Sequence, residues 1–369
     1  MANKAYKFRL YPTNEQEQLL LKTFGCVRFV YNKMLAERKE IYEQFKDDKE
    51  LLKKQKFPTP AKYKTDFEWL KEVDSLALAN AQLNLQKAYT NFFAGRAKFP
   101  KFKSRKTKQS YTTNRVNGNI LLLASQIKLP KLGLVRLKLH REIPSCHLIK
   151  SCTISRSATG KYHISILTEF ECTPIKKEIK KIIGLDFAMN GLYVESEQGE
   201  IANYPRFYRQ AQQQLAKEQR ILSRRTKGSS RYEKQRIKVA RLHEHVANQR
   251  KDFLHKTARR LVTHYDCVVI EDLQMQGMAQ TLRFGKSVGD NGWGMFTAFL
   301  HYKLGEQGKK LVKINKWFPS TKTCSSCGHR RDMPLSERTF SCACGFVSDR
   351  DWNAAINIKN EGRLMLELS

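Results

Sequence analysis

PSTKTCSSCGHRRDMPLSERTFSCACGFVSDRDWNAAINI, residues 319–358, is the stretch that decides how the C-terminal half of the chain is built. Cys324-x-x-Cys327 is followed, after 14 intervening residues, by Cys342-x-Cys344, and Gly328 or Gly345 stands directly after each pair. Four thiolates at such spacing suit a tetrahedral Zn²⁺, and glycine permits the left-handed turn that closes a knuckle. Because protein fills all four positions, the expected ion is structural, one per chain. The second pair is one residue tighter than the usual C-x-x-C, and His329 is a bystander once four sulfurs are present. Cys26, Cys146, Cys152, Cys172 and Cys267 lie dispersed, mostly in apolar runs, and are expected as small buried hydrophobes. The odd total of nine argues against a secreted disulfide framework.

Outward from the knuckles, Asp349-Arg350-Asp351-Trp352-Asn353 opens what reads as a final helix. The chain is poor in acids, with 35 Asp+Glu against 68 Lys+Arg, so acids at strand ends stand out. Asp186 closes the apolar run IIGL (182–185), and Glu271, beside Asp272, closes CVVI (267–270). Each has an ordinary alternative: Asp186 as a turn residue, Glu271 as a salt-bridge partner, Asp351 as a helix N-cap. Carboxylates gathered from separated elements are also what a two-metal phosphodiesterase needs. Such a site holds two Mg²⁺ about 4 Å apart on hard oxygen ligands, one activating water and one stabilising the leaving oxygen. The pattern does not choose between Asp349 and Asp351, or between Glu271 and Asp272. His243, His245 and His255 are not expected to share a metal, because helical spacing sends 243 and 245 to different faces.

The formal net charge of +33 requires an anionic partner to offset its self-repulsion. Nucleic acid is the first candidate and an acidic membrane surface the second. No stretch approaches ~18 consecutive apolar residues, and the opening MANKAYKFRLYP lacks the apolar core of a signal peptide. No membrane partner is therefore expected, and a cytoplasmic, nucleoid-associated location is. A hydrophobic content of 41% with 10% aromatics excludes a disordered polycation. The excess charge is concentrated, with 12 basic and 1 acidic residue in 101–150 and 13 and 3 in 201–250. In KFPKFKSRKTKQS (98–110), Lys98, Lys101, Lys103, Arg105, Lys106 and Lys108 interleave with Phe99 and Phe102, and Tyr111 follows. Such a segment tracks a phosphate backbone while its rings stack on bases or anchor it to the protein. Residues 201–260 carry 17 basic and 4 acidic side chains, too one-signed to self-pair; Arg224, Arg225 and Arg236 are assigned there to nucleic acid.

Residues 4–11 alternate Tyr6, Phe8 and Leu10 with Lys7 and Arg9, the period of a half-buried strand, and Pro12 ends it. Asn14 and Glu17 read as a capping box opening helical texture to about residue 95. Residues 119–139 and 149–169 read as an antiparallel sheet or small barrel, with 4–11 as its first strand across a helical insertion. A boundary falls at 171–181. Beyond it come strand, turn and strand over 182–196, long helices over 206–262 broken near Gly228–Ser230, and a short strand at 265–270.

Strand-Asp186, strand-Glu271-Asp272-Leu273, PSTKTCSSCG, CACG and DRDWNAAINI, with FGCVRFVYNKML (24–35) and FF-x5-FPKFKSRK (92–106), resemble TnpB. That family comprises transposon-encoded RNA-guided DNA endonucleases related to the compact type V CRISPR effectors. The resemblance spans nearly the whole chain and implies an α/β multidomain architecture. A RuvC nuclease domain of RNase H-like fold would occupy 181–323 and 345–369, interrupted by a zinc ribbon at 324–344. A wedge-type β-barrel would occupy 1–12 and 106–180, carrying a helical recognition insertion at 13–105.

By the same resemblance, Asp186, Glu271 and Asp351 fall on the family's catalytic triad, Asp351 because the family's ligand is the Asp of D-x-N. Phe187 departs from the small residues more usual after the first acid. The implied activity is Mg²⁺-dependent cleavage of double-stranded DNA beside a short flanking motif, directed by a guide RNA from the transposon end. A monomer with its RNA is expected. Asn80, Gln82, Asn84 and Gln86, with Ser110, Tyr111 and Thr112, are candidates to read the motif. The rival is a nuclease-silent RNA-guided repressor, which should lack a catalytic acid; all three are present. If about ten phosphates are neutralised, log affinity for nucleic acid falls against log salt with a slope near −9, measured by titration at several salt concentrations.

Overall fold

The computed structural model describes residues 1–55, 57–106, 108–171, 177–275, 277–278, 289–334 and 336–367. They form two compact units, Met1–Cys172 and Thr173–Ser369.

In the first unit, strand β1 (Ala2–Tyr11) buries Tyr6, Phe8 and Leu10, as its alternation requires. Helix α1 (Asn14–Phe45) follows. Its capping box is formed by Thr13 and Gln16, one position earlier than expected: Thr13 Oγ1 accepts from Gln16 N at 3.3 Å, and Thr13 N donates to Gln16 Oε1 at 3.1 Å. Thr13 holds the extended backbone of a cap, whereas Asn14 is already helical. Glu17 instead accepts from the Tyr162 hydroxyl at 2.9 Å. Short helices α2 (Lys49–Lys54) and α3 (Pro60–Asp66) lead to α4 (Ser75–Phe93), capped by Asp74. Ala77, Leu78, Ala81, Leu85 and Tyr89 form its buried stripe at helical spacing.

Strands β2 (Gln109–Asn114), β3 (Leu121–Leu122), β4 (Gln126–Leu129), β5 (Gly133–Lys138), β6 (Leu148–Arg156) and β7 (Tyr162–Phe170) join β1 in one sheet. Its order is β2-β6-β7-β1-β5-β4-β3, with every pairing antiparallel. The first strand of the chain is thus the middle strand, paired with β7 from Ala2–Phe170 to Leu10–Tyr162. Among the described residues the pairing ends at β2 and β3 without joining them, so what is seen is a seven-stranded sheet.

The second unit contains β8 (Ile182–Phe187), β9 (Tyr193–Glu195), α5 (Phe207–Ser223), α6 (Ser230–His264), β10 (Cys267–Glu271), α7 (Trp293–Gly305), β11 (Lys310–Ile314), the hairpin strands β12 (Thr339–Ser341) and β13 (Val347–Asp349), and α8 (Arg350–Glu367). The break between α5 and α6 falls where Gly228–Ser230 suggested, and Ser229 caps α6 through Tyr232 N at 3.1 Å. The central sheet runs β11-β10-β8-β9; β10 is parallel to both β11 and β8, while β9 is antiparallel to β8. IIGL and CVVI are apolar throughout because the sheet is covered on both faces. Ile183, Leu185, Val268 and Ile270 pack with Leu254, Ala258, Leu261, Phe296, Leu300 and Leu304 of α6 and α7. The alternate residues, Ile182, Cys267 and Val269, pack with Ile358 and Leu366 of α8.

Cys26, Cys152 and Cys267 are buried as expected. Cys146 is exposed, because it lies in the polar loop between β5 and β6, and Cys172 lies outside the described residues. No helix among the described residues is long and apolar enough to cross a membrane.

Helix α8 approaches the sheet closely because two glycines let it. A Cβ on Gly184 would stand 2.3 Å from the Ala355 carbonyl oxygen and 2.6 Å from Lys359 N; one on Gly362 would stand 2.4 Å from Val269 Cγ1. Backbone atoms cannot rotate away from such a clash. Gly184→Ala is therefore expected to destabilise the protein by about 1–3 kcal/mol or more, seen as a lowered melting temperature. Gly25→Ala, with nothing within 4 Å of the new Cβ in mid-α1, is expected to be neutral or stabilising by up to ~1 kcal/mol.

Candidate functional site

The acids meet where β8 and β10 end. Gly184 and Val269 are register partners facing α8. Two residues further, Asp186 and Glu271 face the same way by the period of a strand, on neighbouring strands ~4.8 Å apart. Ala355 lies over Gly184, and Asp351 stands one helical turn before Ala355, in the first turn of α8. Burial pushes the Asp186 carboxyl well above its ordinary range; the negative charges of Glu271 and Asp351 push it further, against the Phe187 N–H and Arg350. Burial also raises Glu271, opposed by a hydrogen bond from Ser320 Oγ to Glu271 Oε1 at 2.6 Å. The carboxylate of Asp351 is held by Arg350 Nε at 3.3 Å and Arg338 Nη1 at 3.5 Å.

The trio is a convergence of charge rather than one tight cage. Among the described residues, only the four cysteines place three or more His, Cys, Asp or Glu ligand atoms all within 4.8 Å of one another. The choices left open by pattern are separated by geometry. Asp349 Oδ1 accepts from the N–H groups of Asp351 at 2.9 Å and Trp352 at 3.1 Å, so Asp349 is the cap of α8. Asp272 is exposed and paired with Lys313 at 2.8 Å. Phe187 turns to the opposite side of the sheet from Asp186, its ring edge-on to Trp293 at 5.4 Å, which places its bulk in the core.

In the cysteine cluster, Gly328 N–H bonds to Cys324 O at 2.9 Å and Gly345 N–H to Cys342 O at 3.0 Å, with φ of 77° and 87°. The sulfurs of Cys324 and Cys344 are 3.8 Å apart, and those of Cys327 and Cys342 are 3.6 Å apart. Bonds of ~2.3 Å from a tetrahedral zinc set sulfurs about 3.8 Å apart, whereas a disulfide needs ~2.05 Å. Burial alone would raise the Cys324 thiol, but the N–H groups of Cys327 and Ser326 and the neighbouring thiols bring it down to about 7. The cluster fits a structural zinc, without His329. Phe340 and Met333 fill the small core beneath it.

Two residues not singled out from the sequence tie this cluster to the acids. Asn357 Nδ2 donates to the carbonyls of Ser320 at 2.8 Å and Thr323 at 2.6 Å. Asn353 Nδ2 donates to Thr323 O at 2.7 Å, and its Oδ1 accepts from Ser325 N at 2.9 Å. Both are buried, one helical turn apart on α8. They clamp the segment running from Ser320, which bonds Glu271, to Cys324. The N-x-x-x-N spacing in DRDWNAAIN was the available signal.

Of the basic candidates, Lys98, Lys101, Arg105, Lys106, Lys108 and Arg224 are exposed. Arg225 is half-buried, and Arg236 pairs with Glu233 at 2.8 Å. Lys103 is half-buried with its ammonium 4.0 Å from the Tyr31 ring centroid, and burial lowers its pKa. Phe99 anchors the segment edge-on against Tyr89 and Phe92, while Lys39 lies over both Phe99 and Phe102. Tyr111 corrects its assignment to nucleic acid: it is 4% exposed, packed 5.7 Å from the Phe24 ring, because that register of β2 faces the core. Asn80 is bonded to Leu76 O at 2.8 Å, Gln86 to Arg38 at 3.0 Å and Thr112 to Thr153 at 2.8 Å; Gln82 and Ser110 are half-buried, and Asn84 is exposed. His243 meets Gln219 and His255 stacks on Phe299, so these histidines bind side chains rather than one another.

Because Asp186 is raised, the folded protein holds its proton more tightly than the unfolded chain does. That stability is complete below the ordinary carboxylate range near pH 4 and is lost as pH rises through the raised value. In magnesium-free buffer at pH 8, Asp186→Asn is therefore expected to raise the melting temperature by at least ~2 °C. The gain should shrink towards pH 4, as followed by thermal scans across that range.

Three family descriptions match the chain: "Helix-turn-helix domain" over residues 1–47, "Probable transposase" over 165–282, and "Cas12f1-like, TNB domain" over 293–358. The first covers β1 and the single long helix α1. The chain is 37% identical over 366 residues to a Streptomyces pristinaespiralis protein named "Putative RNA-guided DNA endonuclease", covering 97% of this chain and 89% of that one. It is 32% identical over 382 residues to an Escherichia coli K12 protein of the same description, InsQ, covering 98% and 93%. A chain in the solved Cas12f1–sgRNA–target DNA complex shares the fold, with a TM-score of 0.61 at 13% identity over 97% of this chain and 99% of that one. Similarity of that extent, end to end, makes the chain a member of the TnpB (OrfB, IS605-type) family.

Proposed function

We propose that the protein is an RNA-guided DNA endonuclease that cuts double-stranded DNA beside a short flanking motif, with Asp186, Glu271 and Asp351 holding two Mg²⁺. The observation that carries this reading is the convergence of Glu271 and Asp351 on Asp186, two acids from parallel strand ends and one from the first turn of α8. Ligands bind at the carboxyl ends of such strands because the crevice opens there. Hard oxygen donors that repel one another in a half-buried position suit a divalent cation, which when bound supplies an activated water and stabilises the leaving oxygen.

The chain's own residues divide the remaining work. Ser320 holds one oxygen of Glu271, and the other would serve a cation. Asn353 and Asn357 fix the segment that carries Ser320. Zinc on Cys324, Cys327, Cys342 and Cys344 would lock the far end of that segment. Arg338, mostly exposed beside Asp351, is placed to meet a phosphate. The exposed cations of 98–108 and those around Arg224 would follow the guide RNA and target backbones, while base pairing reads the target sequence. A monomer carrying one RNA is sufficient for this scheme.

The test is cleavage of a matched plasmid by the protein with its guide RNA in Mg²⁺. Loss of one metal ligand removes several kcal/mol of transition-state stabilisation, so Asp186→Ala is expected to slow cutting by ~10³-fold or more with target binding kept. Target binding without cutting by the unmutated protein would replace this reading with the repressor.

A further inference from the structure

Between β11 and the cysteine cluster the chain makes an exposed turn, Asn315-Lys316-Trp317-Phe318. Phe318 packs inward against the core under α8, but the Trp317 side chain is 79% exposed. The turn that displays it is firm: Asn315 Oδ1 accepts from Trp317 N at 2.9 Å and Asn315 O from Phe318 N at 3.0 Å. The Lys316 ammonium lies 4.9 Å from the indole centroid.

Its place matters as much as its exposure. Ile314, at the end of β11, is the register partner of Glu271. Ser320, three residues after Trp317, donates to Glu271. Three peptide steps span at most ~11 Å, so the Trp317 backbone lies within that distance of both Ile314 and Ser320, the two residues tied to Glu271.

We propose that Trp317 is a stacking platform for an unpaired nucleobase of the DNA strand offered to the acids, with Lys316 taking an adjoining phosphate. This rests on the nuclease reading. Every base has a π-face, so a single exposed indole accepts any of them without reading sequence. Within a duplex both faces of each base are already covered by its neighbours, so the occupant is unpaired. The ammonium beside the ring supplies the charge complement of a phosphate, which an apolar protein partner would not require.

Intrinsic fluorescence reports this contact directly. The other described tryptophans are Trp69, partly exposed against Phe29, the buried Trp293, and the half-buried Trp352. In a Trp69→Phe background, the protein with its RNA is titrated with single-stranded oligothymidylate in magnesium-free buffer. Binding is expected to quench the emission, and Trp317→Phe to remove most of the quenching while affinity changes only a few-fold. Trp317→Ala is expected to weaken oligothymidylate binding by ~10-fold or more, and to slow cleavage of a matched target to a similar degree. Quenching of unchanged amplitude in Trp317→Phe, or unchanged affinity in Trp317→Ala, overturns the proposal. So does a self-association that Trp317→Ala abolishes while oligothymidylate binding stays intact. Failure of the nuclease reading would show instead as a parent protein that does not cut, and the quenching would still report on Trp317.

Discussion

The contact on which the second unit depends is the close seating of α8 on the sheet: its backbone meets the backbone of β8 at Gly184, and at Gly362 it takes in the Val269 side chain of β10. One helix then performs four tasks at successive positions. Asp349 caps it, Asp351 extends towards the strand ends, Asn353 and Asn357 hold the segment leading to the cysteines, and Ile358 enters the core. Displacing α8 by the width of a methyl group would move all four together. A carboxylate site needs its groups placed to within about half an ångström. Removing two Cβ atoms is how this sequence reaches that tolerance with a helix.

The electrostatics are inverted between surface and centre. The chain carries an excess of 33 positive charges, yet its half-buried strand ends gather three acids. Exposed charges more than ~8–10 Å apart are largely screened at ordinary ionic strength. Distant lysines therefore do not neutralise the acids. Arg350 is the cation that acts on Asp186 directly, and it does not offset burial and two like charges. Repulsion at short range leaves a local cation as the counterion that would relieve the acids.

Much of this organisation was legible in the residues. IIGL and CVVI read as strands because parallel strands covered on both faces are apolar throughout, and each run ended in an acid. The cysteines were legible because a knuckle is local and its spacing is dictated by one ion. What escaped depended on partners distant in sequence. Asp349 and Asp351 differ only in which one the helix uses as its cap. Tyr111 read as a surface ring because its inward register is set by pairing with β6, some forty residues away. Asn353 and Asn357 stood within DRDWNAAINI without a clamping role assigned to them, since the carbonyls they satisfy belong to a loop some thirty residues earlier. Cys146 sits close to an apolar run without sharing its burial.

The position of β1 has a consequence for biogenesis. It leaves the ribosome well before its neighbours β5 and β7, which begin at Gly133 and Tyr162. Until those strands emerge, the helices between β1 and β2 can associate with one another while both edges of β1 stay unpaired. Pairing across so long a stretch of chain is slow to form, and a bare strand edge invites intermolecular pairing. Lysines at positions 4 and 7 and Arg9 line that waiting strand, the kind of charged side chain by which exposed strands resist edge-to-edge pairing.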